Sequence, residues 1–526
     1  MKKVTYDEVN MLSKLTRAYL RDAKNVEEFF EYVSTEKNIR SVIENRKKRK
    51  PVNRAVLVSS LEKQYADYNS KAVHTNILSL ANSNTYTITT GHQLNLFTGP
   101  LYFIYKIVSA IKTAQQLNQT YPELHFVPVY WMATEDHDFE EINHAYFNGE
   151  KIEWNSDQKG MVGEFSLDTI SKTVDLFCKS LGGSIHALEI SEIIKKAYLQ
   201  NANLAEATRS VVHALFEKHG LVILDANDSN LKREFVPVVK RELLEQISFS
   251  SVTDTISQFD SSFKAQVNPR EINLFYVVKG LRERIINNGE VFEVLNTDIV
   301  FNPAQIKAEI DSYPERFSPN VILRPVYQEC ILPNVMYIGG GAEVAYWLEL
   351  KSTFNEFGIS FPLVQIRSSF LTLSTKTLSH VAQLNWKITD LFGAKSTLFE
   401  AYTSANNPLE KEVNKLNNAI RLQTEDLESS LTNYDPELVK SLNVAKKGFE
   451  KSIVRLSKKI SGSVKRAHQD QLHEMEQVFS SAYPNGIYQE RHVNFFEMYV
   501  KFGPKYLEAI FEETEPFCRD FSVLEM

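Results

Sequence analysis

One stretch of the sequence, residues 85–117, sets the strongest limit on how this chain can fold. A β-type run stops at Gly91, and a helical spacing of apolar residues begins after Pro100. Pro100 suits the first position of a helix, and Thr98 or Gly99 can cap it. The stretch has the order strand, polar loop, helix. In this order the unpaired backbone N–H groups and the positive end of the helix dipole face the loop. The stretch therefore predicts a turn that binds phosphate or carboxylate.

The polar residues of this loop add side chains suited to such a ligand. His92, Gln93 and Asn95 lie in the loop, and Lys106 follows two turns into the helix. Neither G-x-G-x-x-G nor G-x-x-x-x-G-K-[ST] is present, so the pattern predicts neither a dinucleotide fingerprint nor a P-loop. An ordinary strand-to-helix turn, in which His92 bonds to the backbone, is the alternative interpretation.

The length and charge of the chain exclude several classes of protein. With 526 residues the chain exceeds the size of one core, so two or more domains are expected. A net charge of −7 gives no overall attraction to nucleic acid or to an anionic membrane, and neither partner is predicted. No signal peptide and no run of about 18 apolar residues is present, which predicts a cytoplasmic protein. Cys178, Cys330 and Cys518 are far apart, so no zinc site or disulfide framework is predicted.

Further buried strands end in polar clusters like the first. The apolar run 125–132 leads into Glu135, Asp136, His137 and Asp138, and the run 220–225 ends at Asp225, with Asn227 beyond it. Strand, helix, strand and polar loop form a βαβ arrangement. Because ligands of open α/β sheets gather where the carboxyl ends of strands meet, we expect these loops to share one edge of a parallel sheet.

Two more segments are predicted to join that sheet. Residues 321–326 are interpreted as a core strand, and they place Arg324 and Glu329 near its end. The run 335–338 leads into Gly339, Gly340 and Gly341, with Glu343 in the first turn of the next helix. Three glycines at such a turn allow the backbone to approach a ligand closely. A tight turn that needs positive φ angles is the alternative explanation.

The pattern divides the chain into an N-terminal helical segment at 1–80, a Rossmann-like core at 81–375, a helical coiled-coil domain at 376–485 and a C-terminal helix at 486–526 that docks on the core. Connecting modules are predicted within the core at about 150–205 and 236–315. In the coiled-coil domain, apolar residues recur at steps of three and four on both sides of Asp435-Pro436, which predicts an antiparallel pair of long helices. The fold class is α/β with an added α-helical domain.

The polar residues of these loops suit activation of a carboxylate by ATP followed by attack of an amine, or nucleotidyl transfer in general. Histidine can transfer protons near neutral pH, lysine and arginine can hold phosphate, and aspartate can orient an amine, a ribose or Mg²⁺. A metallohydrolase would also use His and Asp. However, H-E-x-x-H is absent, and His137 and His144 have no defined third ligand, so no metal site is predicted.

Three motifs resemble a known family. TGHQLNLFTGPLY at 90–102, TEDHDFEEIN at 134–143 and GGGAEVAYW at 339–347 are similar to the cysteine-adding enzymes of bacillithiol biosynthesis, the BshC family. The segment 220–225 and the closing PNG…QER at 484–491 are similar as well. These matches run through nearly the whole chain in the expected order.

The resemblance implies a Rossmann-like core, a coiled-coil domain that forms a homodimer, and a ligase that joins L-cysteine to glucosaminyl malate with ATP, with or without Mg²⁺. On this basis His92, Lys106, Asp136 and His137 are predicted to be catalytic. The predicted substrate- or nucleotide-binding residues are Gly91, Gln93, Asn95, Thr98, Gly99, Tyr102, Glu135, Asp138, Asp225, Asn227, Arg324, Glu329, Gly339, Gly340, Gly341, Glu343 and Trp347.

Two other functions stay open from the residues alone. The first is a nucleotidyltransferase or synthetase that acts on another carboxylate or sugar. The second is a non-catalytic coiled-coil dimer that binds a nucleotide in a vestigial site. Release of AMP or ADP only with a different amine would favour the first, and ATP binding without any release would favour the second.

Overall fold

The computed structural model describes residues 2–9 and 11–526, which form two compact units. The first unit comprises residues up to 372 together with 487–524, and the second comprises residues 373–486. No helix of the described residues is both long enough and apolar enough to cross a membrane.

The strands are β1 (Lys2–Thr5), β2 (Thr85–His92), β3 (His125–Met132), β4 (His144–Phe147), β5 (Glu150–Glu153), β6 (Val222–Asp225), β7 (Leu274–Val278), β8 (Leu281–Asn287), β9 (Phe292–Val294), β10 (Val300–Phe301), β11 (Phe317–Pro319), β12 (Asn334–Gly339), β13 (Leu363–Ile366), β14 (Phe370–Leu373) and β15 (Asp520–Glu525).

The helices are α1 (Tyr6–Val9), α2 (Lys14–Leu20), α3 (Ile39–Lys47), α4 (Arg54–Gln64), α5 (Lys71–Ser79), α6 (Tyr102–Thr120), α7 (Phe139–Ile142), α8 (Ser171–Leu181), α9 (Ile185–Gln200), α10 (Leu204–Phe216), α11 (Ser229–Glu245), α12 (Ile247–Ser257), α13 (Pro303–Ser312), α14 (Leu323–Ile331), α15 (Gly341–Leu348), α16 (Lys351–Phe357), α17 (Thr375–Gln383), α18 (Lys395–Ala405), α19 (Glu410–Tyr434), α20 (Pro436–Ala467), α21 (Gln469–Ala482), α22 (Gln489–His492), α23 (Phe495–Phe502) and α24 (Pro504–Glu513).

A five-stranded parallel sheet forms the centre of the first unit. Its strand order is β13-β12-β2-β3-β6, and all four pairings are parallel. All of β2 and nearly all of β3 are buried, as expected when helices cover both faces of a parallel sheet. In chain order, from the β6 edge, the strands run third, second, first, fourth and fifth, which is the Rossmann arrangement. The predicted fold class is confirmed, and the chain changes direction between β2 and β12.

Both predicted connecting segments contain structure of their own. The first carries β5, α8 and α9. The second carries helices and an antiparallel sheet of order β10-β9-β8-β7-β11. Within it, β8 and β9 form a hairpin around Gly289, whose φ of +98° suits a residue without a side chain.

Two local predictions were wrong. Residues 321–326 are not a strand, because α14 begins at Leu323. The side chain of Asn320 accepts hydrogen bonds from the backbone N–H groups of Ile322 and Leu323, and Pro325 lies in the first turn, where no N–H is needed. The N-terminal segment is not wholly helical either, since β1 pairs with β15.

Residues 374–486 of the second unit form helices and the loops that connect them. Its two longest helices, α19 and α20, are joined only by Asp435 and pack against each other, so they run antiparallel. Asp435 accepts a hydrogen bond from the backbone N–H of Glu437, and Pro436 takes the first helical position. The helical hairpin has the form that the apolar pattern predicted.

Candidate functional site

A cavity with many polar lining residues opens at the carboxyl ends of the strands of the parallel sheet. It encloses about 490 Å³ next to the point where the chain changes direction between β2 and β12. This is the usual ligand site of an open α/β sheet. We call it the main cavity, and it is lined by Gly91, His92, Gln93, Tyr102, Lys106, Trp131, Met132, Ala133, Thr134, Glu135, Asp136, His137, Phe275, Arg282, Pro319, Asn320, Val321, Arg324 and Glu343.

An ion pair joins the two helices that follow the central strands. Lys106 of α6 lies 2.7 Å from Glu343 of α15, and it also donates to the backbone oxygen of Gly91. Burial lowers the pKa of Lys106, although Glu343 opposes that change. For Glu343, burial is outweighed by Lys106 and by the N–H of Gly340, so its pKa is lowered and the carboxylate is ionised. Lys106 thus has protein partners before any ligand binds.

His92 is buried against aromatic rings on the same wall. Its ring stacks on Tyr102 with centroids 5.1 Å apart, and it meets Phe103 edge-on. Burial, followed by the charges of Lys106 and Arg367, lowers its pKa well below the usual value. The imidazole is therefore neutral at physiological pH, so it can take part in hydrogen bonds but does not act as a cation.

Arg324 is a half-buried cation that forms no ion pair with a carboxylate among the described residues. One terminal nitrogen, Nη2, donates to the hydroxyl of Tyr346, whereas Nη1 has no hydrogen-bond partner of normal geometry in the described chain. Burial alone would lower the pKa of Arg324, but the neighbouring Tyr346 and Tyr337 outweigh burial and raise it. Lys106 and Arg324 together face one carboxylate, Glu343, which leaves an excess of positive charge on this wall.

The opposite wall is organised around Asp136. Its Oδ1 accepts the N–H of His137 at 2.8 Å, and its Oδ2 accepts Nε2 of Gln93 at 2.9 Å. Burial opposes ionisation, but these hydrogen bonds and the charge of Arg282 lower the pKa of Asp136. Asp136 therefore stays ionised and can orient a positively charged amine.

Arg282 contacts His137. Its Nη1 lies 2.6 Å from Nδ1 of His137. Because a guanidinium can only donate, Nδ1 accepts this hydrogen bond. His137 Nδ1 also lies 3.7 Å from Oδ1 of Asp136. Glu135 is held separately, in a buried pair with Lys232.

The loop before α6 differs from the predicted anion cradle. Helix α6 begins at Tyr102 rather than Pro100, and neither Thr98 nor Gly99 caps it. Phe97, Thr98 and Gly99 have φ angles of +51°, +69° and +58°, so the chain turns too sharply to continue into the helix. The fully buried Asn494 holds this turn by donating to the backbone oxygens of Phe97 and Gly99, both at 2.8 Å. Strain of this kind persists only where the surroundings enforce it.

Several predicted site residues lie outside the main cavity. Asp225 and Asn227 line a separate cavity of about 220 Å³, and Asp138 lines another, exposed one. Asn95 and Gly99 also line a neighbouring cavity, described below. The buried residues Thr98 and Trp347 do not reach the main cavity.

Glu329 and the three glycines take part in contacts within the protein interior and do not line the main cavity. Glu329 is fully buried and accepts from Arg46 at 2.8 Å. Gly339, Gly340 and Gly341 have no positive φ angle, and a Cβ on Gly341 would lie 2.4 Å from Leu12. The glycines therefore permit close packing within the protein.

Other cavity residues were not found from the sequence, among them Trp131, Thr134, Phe275, Arg282 and Asn320. Arg282 and Phe275 come from the antiparallel sheet of the second connecting segment, where the guanidinium lies 3.9 Å from the ring centroid. Nothing in their local sequence shows that this sheet folds over the strand ends. Thr134 lies in the TEDHDFEEIN motif, two residues after the end of β3, and this position could have identified it as a cavity residue.

The comparisons with known proteins agree with this architecture. Residues 1–368 match the model of the "Bacillithiol biosynthesis BshC, N-terminal Rossmann-like domain", and residues 370–526 match that of the "Bacillithiol biosynthesis BshC, C-terminal coiled-coil domain". A solved Campylobacter jejuni chain named "putative arginyl t-RNA synthetase" aligns at 10% identity over 80% of this chain and all of that one. Its TM-score of 0.22 is too low to carry an argument.

Relatives of nearly the same length carry one name, "Putative cysteine ligase BshC". The protein of Flavobacterium psychrophilum is 40% identical over 99% of both chains, and that of Flavobacterium johnsoniae is also 40% identical over 99% of both. The protein of Christiangramia forsetii is 36% identical over 99% of this chain and 98% of its own. The name agrees with the predicted enzyme class, a ligase. This chain belongs to the BshC family of bacillithiol biosynthesis.

Proposed function

We propose that the protein is an ATP-dependent ligase that joins the carboxyl group of L-cysteine to the amino group of glucosaminyl malate. The observation that carries this proposal is Arg324, a half-buried cation on the main cavity wall whose buried Nη1 has no hydrogen-bond partner in the described chain. A buried donor without a partner is costly, and a counter-charge in the cavity would supply the missing acceptor. A phosphate or carboxylate group in the cavity would provide that charge.

The residues of the main cavity fit an ATP-dependent amide synthesis. When bound, ATP supplies the phosphate-containing leaving group that activates a carboxylate. Arg324, with the excess positive charge of its wall, binds and orients anionic oxygens. Asp136, ionised and held by Gln93, attracts an ammonium group on the opposite side.

His92 is placed to form a hydrogen bond with a reacting group. Because burial and the charges of Lys106 and Arg367 disfavour the imidazolium, the neutral ring orients this group as a hydrogen-bond partner. Nε2 of His92 is buried and has no hydrogen-bond partner in the described part of the chain. This role replaces the contact with phosphate that the sequence suggested, because burial keeps His92 uncharged.

We also propose that the protein is a cytoplasmic homodimer formed by α19 and α20. Large apolar side chains on these helices are about half exposed in one chain, among them Leu416, Leu427, Phe449 and Val454. A second copy would cover them, as in other coiled coils. The three free cysteines suit a reducing compartment in which cysteine itself stays reduced.

The test is an assay with purified protein, L-cysteine, glucosaminyl malate and ATP, in which mass spectrometry detects the amide product. Wild type is expected to form the product only when all three substrates are present. Arg324→Gln is expected to lose most of the activity, and Arg40→Gln, which removes an exposed guanidinium paired with Glu123, is the matched control. Product without ATP, or full activity of Arg324→Gln, would contradict the proposal.

A further inference from the structure

A second cavity of about 300 Å³ lies beside the main cavity and shares Gln93 and Tyr102 with its wall. We call it the side cavity. Its other walls come from the strained loop before α6, from the segment around β4, and from Arg491 and His492 of α22. Two adjoining cavities suit a reaction that brings together two different substrates.

Gln93 stands at the boundary between the two cavities. Its Nε2 donates to Asp136 of the main cavity at 2.9 Å and to Glu141 of the side cavity at 2.8 Å. One amide group therefore holds a carboxylate from each side at the junction. A positively charged amine bound there would meet Glu141 in the side cavity and face the main cavity beyond Gln93.

Arg491 places a positive charge at the side cavity, and the residues before it hold its backbone in position. The two preceding side chains are anchored: Gln489 exchanges two hydrogen bonds of 2.8 Å with the backbone of Thr372, and Glu490 pairs with Arg367. Arg491 itself is exposed, and its guanidinium makes no hydrogen bond or ion pair with any described residue. The QER motif thus fixes the backbone below Arg491 and leaves its guanidinium open to a ligand.

The remaining walls offer polar and flat surfaces. The side chain of Asn95 lines the side cavity, and its Oδ1 has no partner among the described residues. The ring of Tyr146 lies against that of His492, with centroids 4.2 Å apart. Amide groups bind hydroxyls, and aromatic faces pack against sugar rings.

We propose that the side cavity binds the amine-bearing substrate, an amino sugar that carries a carboxylic acid, and so separates it from the substrates of the main cavity. Glu141 would bind the ammonium group at the junction, Asn95 a hydroxyl, and Arg491 the carboxylate at the far end. This assignment rests on the proposed function, and it specifies which substrate occupies which cavity. A free amino acid also carries an ammonium and a carboxylate group, so the test must separate the two.

Binding of each substrate alone, measured by titration calorimetry without turnover, provides that separation. Arg491→Gln is expected to weaken binding of glucosaminyl malate by about 10-fold or more and to leave binding of L-cysteine unchanged. With methyl glucosaminide, which has no carboxylate, wild type and Arg491→Gln are expected to bind equally. Lys505→Gln, which removes an exposed charge from the same C-terminal segment, is the matched control, and thermal melting checks that each variant is folded.

The outcomes distinguish this inference from the proposed function. Unchanged binding of glucosaminyl malate to Arg491→Gln, or no binding to wild type at millimolar concentration, would overturn the assignment even if wild type forms product. Weaker binding of L-cysteine to Arg491→Gln would overturn it by placing the amino acid in the side cavity. Arg491-dependent binding without any amide product would support the assignment and contradict the ligase proposal.

Discussion

Two arginines of the first unit, the buried Arg367 and the half-buried Arg324, differ in what surrounds them. Arg367 forms two hydrogen bonds with Glu490, of 2.9 and 2.5 Å, and both side chains are almost completely buried. Only its Nε lacks a partner in the described chain. Arg324 has a tyrosine hydroxyl as its partner, no carboxylate, and a position on the cavity wall.

We infer that the charge of Arg367 stabilises the fold, whereas the charge of Arg324 binds a ligand. A buried ion pair is strongly destabilised when one partner is removed, because the other charge is left uncompensated. The charge of Arg324 is supported by Tyr346, Tyr337 and Glu343 without an ion pair, so removal of Arg324 breaks no salt bridge and should affect ligand binding more than folding. The predictions below test this contrast, from the largest expected effect to the smallest.

The largest effect is expected for the paired arginine. Glu490→Gln should lower the free energy of unfolding by about 3–5 kcal/mol, because Arg367 is left as an uncompensated buried charge. Urea denaturation followed by circular dichroism measures this. The double variant Arg367→Met with Glu490→Leu should recover most of the loss, and a change below about 1 kcal/mol in the single variant would mean that the pair does not support the fold.

Glu349 is a buried carboxyl group that forms no ion pair with a cation among the described residues, and its effect on stability should depend on pH. Glu349 accepts the backbone N–H groups of Gln266 and Val267, and burial raises its pKa to about 7. Because the folded pKa lies above the unfolded value, the stability contributed by the protonated form is complete below about pH 4.5 and is lost as the pH rises to about 7.

The measurement for Glu349 compares unfolding free energies between pH 4.5 and 8. Wild type should lose about 3 kcal/mol relative to Glu349→Gln over this interval, since the variant has no carboxyl group to ionise. Parallel pH profiles of the two proteins would show that Glu349 does not titrate in this range.

For Arg324, activity rather than stability should respond. Arg324→Gln should reduce kcat/KM by about 100-fold, the usual order for a lost contact to a developing charge in a closed site. Its melting temperature should change by no more than about 2 °C, because no ion pair is broken. Arg324→Lys keeps the charge but not the planar geometry, and intermediate activity is expected. A large loss of stability in Arg324→Gln would place it with Arg367 as a structural residue.

The smallest effect is expected for Arg282, which acts through His137. Arg282→Met should lower kcat/KM by about 10-fold through loss of positioning. The loss follows because the contact of Nη1 with Nδ1 of His137 is removed. Arg284→Met, two residues along β8, is the control. Unchanged kcat/KM in Arg282→Met would contradict a positioning role for Arg282.

The sequence predicted those parts of the site that depend on local pattern. The loops after β2 and β3 and the helix after β12 follow buried apolar runs, so His92, Asp136 and Glu343 were correctly expected at one sheet edge. The order of the strands could not be predicted from such runs. That order separates Asp225, at the end of the edge strand β6, from the switch point between β2 and β12.

The remaining differences have physical causes in tertiary structure. A short apolar run with a proline, as at 321–326, is compatible with either a strand or the first turn of a helix. The hydrogen bonds that Asn320 accepts from the N–H groups of Ile322 and Leu323 favour the helix. Arg282 reaches the main cavity because a sheet inserted far along the chain folds over it. The conformation of residues 97–99 depends on Asn494, almost 400 residues later in sequence.

The most direct test of the account measures thiol metabolites by mass spectrometry in a strain that lacks this protein. The strain is complemented with wild type, Arg324→Gln or Arg40→Gln. If the protein is the proposed ligase, glucosaminyl malate accumulates and bacillithiol disappears in the deletion strain. Wild type and Arg40→Gln then restore bacillithiol, and folded Arg324→Gln does not. Unchanged thiol pools in the deletion strain would contradict the ligase function, and full rescue by Arg324→Gln would contradict the placement of its site.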